Sequence, residues 1–304
     1  MSFRLALQIP NFSYGTGVEN LFPTVIAQAA EADSSGYGAV FVMDHFYQLP
    51  GLGTPDQPML EAYTALGALA TATENVQLGT LVTGNTYRNP TLLAKAVTTL
   101  DVVSAGRAIL GIGTGWFKLE HDSLGYEFGT FTERFDKLDE ALAIIVPMLH
   151  GERPTFTGKY YRVDKAMAEP RYRDHIPLMI GGSGEKKTIP LAAAHFDHLN
   201  LICGFDELAH KTEVARRCCE ELGRDPATLA TSVLATVVVD ENFDTAQLGE
   251  RSNRTLVGSV ESIAEQVQAK VLDNGVTGIV FNIPFHRPGD ITALGEALAP
   301  LLRG

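Results

Sequence analysis

The sequence predicts an α/β fold in which eight parallel strands close into a (β/α)8 barrel of the TIM class, with insertion segments. Short apolar runs alternate with helix-like segments, which is the pattern of βαβ units around a parallel sheet. Eight such strand–helix units are present, and that number implies a closed barrel. With 304 residues, 45% of them hydrophobic, the chain can bury one large core, and no linker divides it. We therefore expect one domain over residues 1–304.

The first four strands follow in order within residues 3–112. They are expected at 3–9, 39–43, 76–82 and 108–112, because each is a mostly apolar run bounded by turn residues. Helices are expected between them at 21–35, 62–72 and 91–103. The first of these helices is followed by Gly36, a residue type that favours a helix C-terminus.

The middle of the chain departs from this alternation. Residues 116–131 carry aromatic residues and glycines without a period, and we expect a long loop over one end of the sheet. Thr130 and Glu133 have capping-box spacing at the start of a helix through 149, and residues 151–163 suggest a β excursion. Strands at 176–180, 198–201, 232–239 and 278–281 then alternate with helices at 186–195, 205–222, 259–272 and from 290.

Charge and composition exclude several classes of partner. The chain has 24 basic and 36 acidic residues, and a net charge of −12 argues against nucleic acid and anionic membranes as partners. No stretch approaches the roughly 18 consecutive apolar residues of a membrane span. No secretory signal is expected, since Arg4 precedes a strand-like run. The 3 cysteines lack Cys-x-x-Cys spacing, so a reducing cytoplasm is the simplest compartment.

Three alternate glycines, at 111, 113 and 115, follow the fourth strand. Glycines at a strand exit let a flat or anionic ligand approach the backbone. The dinucleotide fingerprint Gly-x-Gly-x-x-Gly does not fit, because the third glycine comes one residue early and Trp116 stands in its place. A purely structural alternative is that the glycines allow a neighbouring helix to pack closely.

Active sites of such barrels lie where the strands end at their C-terminal face, so the polar residues that follow each strand are the candidates. His45 can exchange a proton near neutral pH, and Asp44 could bind a cofactor hydroxyl or ring atom. A histidine satisfied by backbone in a loop is the alternative. The other residues on this expected rim are Thr83, Gly84, Asn85, Thr114, Gly115, Trp116, Gly181 to Glu185, Asn200, Asn282, His286 and Arg287.

A glycine-rich turn, Gly181-Gly182-Ser183-Gly184, connects the fifth strand to its helix. Its backbone N–H groups and the helix start suit a phosphate, although a flexible turn is the alternative. No histidine has metal-ligand spacing with a carboxylate, so no metal site is expected, and no Gly-x-Ser-x-Gly elbow offers an acyl nucleophile. Glu120 is either catalytic or a residue that ties down the 116–131 loop. Trp116 either forms part of a pocket wall or simply packs against neighbouring side chains.

Four motifs occur in the order found in the bacterial luciferase-like superfamily. They are Asp44-His45-Phe46, Tyr87-Arg88-Asn89-Pro90, Ala-Ile-Leu-Gly-Ile-Gly-Thr-Gly-Trp at 108–116, and Ile180-Gly181-Gly182-Ser183-Gly184. On these motifs the chain resembles that superfamily over about residues 3–302, and within it the deazaflavin (coenzyme F420)-dependent oxidoreductases.

The resemblance implies a barrel that is often dimeric and binds a deazaflavin in its mouth, and we therefore expect a homodimer. It implies that His45 lies near the reactive ring carbon and acts in proton transfer. It also implies a non-proline cis peptide at Leu81–Val82. Residues that would line the ring and ribityl chain are Asp44, Leu81, Val82, Thr83, Thr114 and Gly115. Residues that would hold the phosphate region by backbone contacts are Gly181, Gly182, Gly184 and Glu185.

One position departs from the family pattern. In the sugar-phosphate dehydrogenases of this family a catalytic glutamate follows the Thr-Gly pair, and here that position is Trp116. A more apolar substrate than a sugar phosphate is therefore expected, in contact with Trp116, Tyr47, His286 and Arg287. Whether residues 46–61 and 116–131 close over it as lids stays open.

The function expected is hydride transfer between coenzyme F420 and a small organic substrate in the cytoplasm. The first alternative is a monooxygenase that uses reduced FMN and oxygen, as other luciferase relatives do. The second alternative is a protein that binds flavin or deazaflavin without turnover.

Overall fold

The computed structural model describes residues 3–302, which form a closed parallel barrel surrounded by helices. The strands are β1 Leu5–Ile9, β2 Ala39–Val42, β3 Gln77–Thr80, β4 Thr83–Gly84, β5 Ala108–Gly113, β6 Phe156–Thr157, β7 Arg162–Val163, β8 Leu178–Gly181, β9 His198–Leu201, β10 Ala230–Val238, β11 Thr255–Val257 and β12 Gly278–Asn282. The α-helices are α1 Val18–Ser34, α2 Ala62–Ala72, α3 Pro90–Val103, α4 Lys118–Leu124, α5 Phe131–Leu149, α6 Thr188–His195, α7 Leu208–Glu221, α8 Val260–Lys270 and α9 Asp290–Leu302.

The barrel strands pair in the order β1, β2, β3, β5, β8, β9, β10 and β12, and β12 returns to β1. All of these pairings are parallel, and the closing register sets Leu5 beside Ile279. The predicted (β/α)8 barrel is therefore confirmed. Because every strand runs in the same direction, all strand ends meet at one mouth.

Side chains alternate between two apolar cores along each strand, as expected for a period of two. Leu5 and Leu7 pack outward against the helices, while Ala6 and Phe41 belong to a smaller cluster within the barrel that also contains Ile109, Met179 and Val280. Both faces of the strands are thus buried, which explains their almost continuous apolar sequence. Below the mouth the barrel is filled by these side chains.

Gly111 has a packing role at the crossing of β3 and β5. A Cβ atom placed there would lie 2.0 Å from the backbone oxygen of Thr80. The backbone of β3 could not yield without breaking the ladder, so glycine is required for close strand approach. This supports a structural role for that one glycine, independent of any ligand.

Several parts of the chain differ from the sequence prediction, and helix α1, for example, begins at Val18 rather than at 21. The predicted loop at 116–131 contains helix α4, which ends at Gly125 in a left-handed conformation with φ of 78°. Its N-cap is Phe117, which lacks a side-chain acceptor, and its 7 residues are too few to give a clear period. Helix α6 begins at Thr188 rather than at 186. The short strand β11, which pairs with β10, was not predicted.

The predicted β excursion at 151–163 is an antiparallel pair formed by β6 and β7. None of the helices within residues 3–302 combines the length and apolar character needed to cross a membrane.

Candidate active site

A cavity of about 470 Å³ opens at the C-terminal mouth of the barrel. Its wall is built by the residues that follow the strand ends, as the barrel geometry requires. The lining residues are Gln8, Met43, Asp44, His45, Leu49, Pro50, Leu52, Leu81, Val82, Thr83, Gly84, Tyr87, Gly113, Thr114, Gly115, Trp116, Gly181, Gly182, Ser183, Ile202, Leu234, Thr236, Arg254 and Asn282. Most of the predicted rim residues are therefore brought together in one cavity.

His45 is held at the cavity wall through one of its two ring nitrogens. Its Nδ1 lies 3.0 Å from Oε2 of Glu120, whose side chain is fully buried. The imidazole meets the rings of Trp116 and Phe117 edge to face, with centroid distances of 5.8 Å to each. Because a carboxylate only accepts hydrogen bonds, Nδ1 carries the proton and Nε2 is the nitrogen left for a ligand.

Glu120 also fixes the backbone that carries His45. It accepts hydrogen bonds from the backbone N–H groups of Phe46 and Tyr47, the latter at 3.0 Å, and from the hydroxyl of Tyr87. Burial alone raises the pKa of Glu120, but the hydrogen bonds from His45, Tyr87 and Tyr47 outweigh it and hold the pKa below its usual value. Glu120 is thus a carboxylate at neutral pH, and it both ties down a loop and contacts the candidate catalytic histidine.

Asp44, next in sequence to His45, belongs to a separate network. Arg88 binds its carboxylate in a bidentate manner, with Nη1–Oδ2 and Nη2–Oδ1 distances of 2.6 and 3.0 Å. Arg88 also pairs with Glu61 and lies over the ring of Tyr63, 4.9 Å from its centroid. Burial raises the pKa of the Asp44 carboxyl, while Arg88 opposes that rise. The pair places a neutralised carboxylate in the wall.

The peptide bond between Leu81 and Val82 is cis, as the family resemblance implies. The Leu81 carbonyl accepts a hydrogen bond of 3.1 Å from Nε2 of Gln8, and Oε1 of Gln8 accepts one of 3.2 Å from Nδ2 of Asn282. A backbone carbonyl can only accept a hydrogen bond, so these two hydrogen bonds fix the orientation of both side-chain amides. In this orientation Oδ1 of Asn282 is buried and has no hydrogen-bond partner among the described residues 3–302.

Two glycines flank Val82 where it borders the cavity. A Cβ atom at Gly113 would lie 3.1 Å from the Val82 side chain, and one at Gly181 would lie 3.2 Å from it. Gly115 has a φ of 77°, a left-handed conformation that favours glycine. These positions leave a smooth, side-chain-free wall on both sides of Val82.

Seven predicted rim and site residues do not line this cavity, and two of them, Asn85 and Asn200, are buried outside it. Gly184 and Glu185 lie beyond it, and the Glu185 carboxylate instead pairs with Lys211 at 2.7 Å and His210 at 3.0 Å. Tyr47 contributes its backbone N–H to Glu120. His286 packs edge to face on Tyr14. Arg287 donates a hydrogen bond to the Val239 carbonyl and lies near Asp290, so both side chains have partners outside the cavity lining.

Sequence reasoning did not assign Arg88, Gln8 or Arg254 to the site. Arg88 lies 44 residues from Asp44 in sequence, and no local pattern links them. Gln8 interrupts an otherwise apolar strand, and such an interruption is the only signal that could have identified it. No group of three or more His, Cys, Asp or Glu residues in the described part of the chain could hold a metal ion.

Comparison with known proteins identifies relatives. The sequence model of the luciferase-like monooxygenase family matches residues 1–249. The chain is 36% identical over 181 residues to an F420-dependent glucose-6-phosphate dehydrogenase of Nakamurella multipartita, covering 58% of this chain and 52% of that relative. It is 28% identical over 227 residues to an F420-dependent hydroxymycolic acid dehydrogenase of Mycobacterium tuberculosis, covering 74% and 62%. The chain thus spans about half to three-fifths of these relatives' lengths.

A solved structure with the same fold is that of an F420-dependent secondary alcohol dehydrogenase in complex with an F420–acetone adduct. The two chains superpose with a TM-score of 0.85 at 20% identity, and the match covers 100% of each. The family match extends over well more than half of the sequence, and the barrel agrees with it. The chain belongs to the luciferase-like monooxygenase family.

Proposed function

We propose that the protein is an oxidoreductase that transfers a hydride between coenzyme F420 and a small organic substrate. The observation that carries the proposal is the cavity at the barrel mouth, in which His45 presents one ring nitrogen beside a wall of glycine and Val82. The F420-dependent relatives support the choice of cofactor. When bound, F420 supplies or accepts a hydride at a ring carbon, and the protein supplies binding, orientation and proton handling.

The residues present fit a flat, polar ring. Buried Oδ1 of Asn282 has no hydrogen-bond partner among the described residues, and an N–H or O–H group of a ring would supply the missing donor. The missing side chains at Gly113 and Gly181 leave room against Val82, where any Cβ would contact the valine. Leu81, Val82, Thr83, Thr114 and Gly115 would line the ring and its chain. Gly181 and Gly182 would face the phosphate region, with Gly184 and Glu185 reached only outside the cavity.

His45 is the proposed catalytic residue. With Nδ1–H donated to Glu120, the Nε2 lone pair can take a proton from a substrate hydroxyl as that group is oxidised, and the protonated ring can return a proton in the reverse direction. The buried carboxylate of Glu120 stabilises the imidazolium that forms. The ion pair of Asp44 with Arg88 holds the strand end that carries His45.

Trp116 is proposed to form the substrate side of the pocket. Its side chain lines the cavity, touches the His45 ring and is 59% exposed, which leaves apolar surface for a substrate to cover. An indole cannot act as an acid, so His45 with Glu120 is the proton-handling pair available here. Tyr47, His286 and Arg287 would contact only a substrate that extends beyond the mouth.

Titration of the purified protein with F420 and with FMN, each oxidised and reduced, tests the proposal. We expect F420 to bind more tightly than FMN, and a substrate screen with the bound cofactor to find oxidation or reduction without oxygen uptake. His45→Ala should abolish turnover and keep most of the F420 affinity, while His150→Ala, at an exposed position, should leave both unchanged. Tight FMN binding with oxygen consumption would instead favour the monooxygenase alternative. Binding without turnover across the screen would favour a storage or regulatory protein.

We further propose that the protein acts in the cytoplasm as a homodimer of single-domain chains. The absence of Cys-x-x-Cys spacing and the three unpaired thiols at Cys203, Cys218 and Cys219 support a reducing compartment. Light scattering coupled to size-exclusion chromatography measures the oligomeric state directly, and a mass of one chain would contradict the dimer.

A further inference from the structure

Arg254 is a cation at the cavity wall, and the described residues offer it no counter-ion. Three lining residues have ionisable or charged side chains that belong to ion pairs or could form them, namely Asp44, His45 and Arg254. Asp44 pairs with Arg88 and His45 with Glu120, whereas no acidic side chain in the described part of the chain forms an ion pair with Arg254. Among the described residues the uncompensated charge at this cavity is therefore positive, although the chain as a whole carries −12.

The fold holds Arg254 at this place. It is the last residue of a 3-10 helix, Thr245–Arg254, and β11 begins directly after it. The register of β11 sets Thr255 beside Thr236 of β10, and Thr236 itself lines the cavity. Arg254 thus enters the mouth from the β10 side, whereas His45 enters after β2, three strands away around the eight-stranded barrel. A ligand that reaches both would cross the mouth.

The surroundings of Arg254 favour an anion. Ile202 and the Gly181 to Ser183 turn line the same cavity and bring no negative charge. Burial lowers the pKa of the Arg254 guanidinium, because the charged form loses contact with water, and the interaction with the Cys203 thiol offsets this only in part. A bound phosphate or carboxylate would restore that interaction through two parallel N–H···O hydrogen bonds.

We propose that Arg254 binds an anionic group, a phosphate or a carboxylate, of the molecule that occupies the cavity. This inference rests on the proposed function only for the choice of probes. The anion has two possible sources, the phosphate of the cofactor itself or an acidic group on the substrate. In the second case the substrate is an organic acid or phosphoester whose apolar part faces Trp116.

Three variants test the role of the guanidinium. Arg254→Met removes the charge and keeps a chain of similar length, and Arg254→Lys keeps the charge but loses the bidentate geometry. Arg217→Met is the matched control, since Arg217 is exposed on α7 and its loss changes the net charge equally. Thermal unfolding of each variant establishes that it is folded.

The probes separate the two sources of the anion. If the cofactor supplies it, Arg254→Met should weaken F420 binding about tenfold to a hundredfold and leave the affinity for the phosphate-free deazaflavin riboside unchanged. If the substrate supplies it, Arg254→Met should leave F420 affinity unchanged and abolish the binding of inorganic phosphate or acetate to the F420-loaded protein. In either case Arg254→Lys should recover part of the loss.

The proposal is overturned if the affinities of Arg254→Met for F420, phosphate and acetate all lie within about twofold of those of Arg217→Met. Failure of the proposed function gives a different result. If the wild-type protein does not bind F420, the comparison of FMN with riboflavin still measures the phosphate contribution. Loss of that contribution in Arg254→Met then supports the anion site without F420.

Discussion

Replacing Glu120 by Gln tests how the protein sets the protonation of His45. The substitution keeps the shape of the side chain and replaces one acceptor oxygen with an amide N–H donor. In the native chain Oε2 of Glu120 lies 3.0 Å from Nδ1 of His45 and also receives the Tyr87 hydroxyl, while Oε1 receives the backbone N–H of Tyr47 at 3.0 Å. A glutamine that keeps its oxygen on the backbone must turn its amide nitrogen toward His45.

The expected consequence is a change of tautomer. An N–H facing Nδ1 forces that nitrogen to accept, so the ring proton moves to Nε2 and the base facing the cavity is lost. General base catalysis contributes about 10²–10⁴-fold to rate, and we expect kcat to fall within that range with F420 affinity changed less than about threefold. The lost charge-assisted hydrogen bonds should also lower the free energy of unfolding by about 1.5–3 kcal/mol.

Two measurements check this chain of reasoning. Nitrogen-15 NMR of the imidazole distinguishes the two tautomers without any substrate, and urea unfolding gives the stability. Because the pKa of Glu120 is lowered in the folded protein, its stabilisation is present above the unfolded value of about 4.5 and is lost as the pH falls through the folded value. The difference in the free energy of unfolding between wild type and Glu120→Gln should therefore decrease below pH 4.5. An unchanged tautomer in Glu120→Gln would refute the reasoning.

Two further predictions concern stability, and urea unfolding measures both. Arg88→Met leaves the Asp44 carboxylate buried without its cation and should lower the free energy of unfolding by about 3–5 kcal/mol. Arg88→Lys should recover part of that loss, and a loss below about 1 kcal/mol in Arg88→Met would contradict the importance of the ion pair. Gly111→Ala places a Cβ 2.0 Å from a backbone oxygen and should lower the free energy of unfolding by about 2–4 kcal/mol. Gly67→Ala, in α2 with nothing within 4 Å of the new Cβ, should raise it by about 0.5–1 kcal/mol. Equal effects of the two substitutions would contradict the close approach of the strands at Gly111.

The barrel could be predicted from the sequence because its signals are local. Each barrel strand is a short, mostly apolar run, and some long helices carry their own boundary, as α5 does in the capping box formed by Thr130 and Glu133. Helix α4 escaped prediction because neither a side-chain cap nor a clear period marks it. The strand β11 has only 3 residues and is stabilised by its neighbour β10, a tertiary effect that a short sequence window does not contain.

The candidate site was predictable only in part, for a related reason. Strand exits can be read from the sequence, and this placed Asp44, His45 and the glycine turns at one mouth. The partners that set their chemistry are distant in sequence: Glu120 lies 75 residues from His45. Arg254 is the last residue of a 3-10 segment with no apolar pattern, so only the closed barrel reveals that it faces the cavity.

The Tyr87-Arg88-Asn89-Pro90 motif shows how one short segment organises both networks of the site. Asn89 caps α3 by accepting the N–H of Thr91 at 3.0 Å, and Pro90 occupies the first turn, so the start of that helix is fixed. The two residues before it then point different ways, Tyr87 to Glu120 and Arg88 to Asp44. Asp44 and His45 diverge as well, Asp44 to Arg88 and His45 to Glu120. Tyr87 and Arg88 thus contact the same two networks as His45 and Asp44. Because the cap at Asn89 fixes the start of α3, it also fixes the backbone from which Tyr87 reaches Glu120 and Arg88 reaches Asp44.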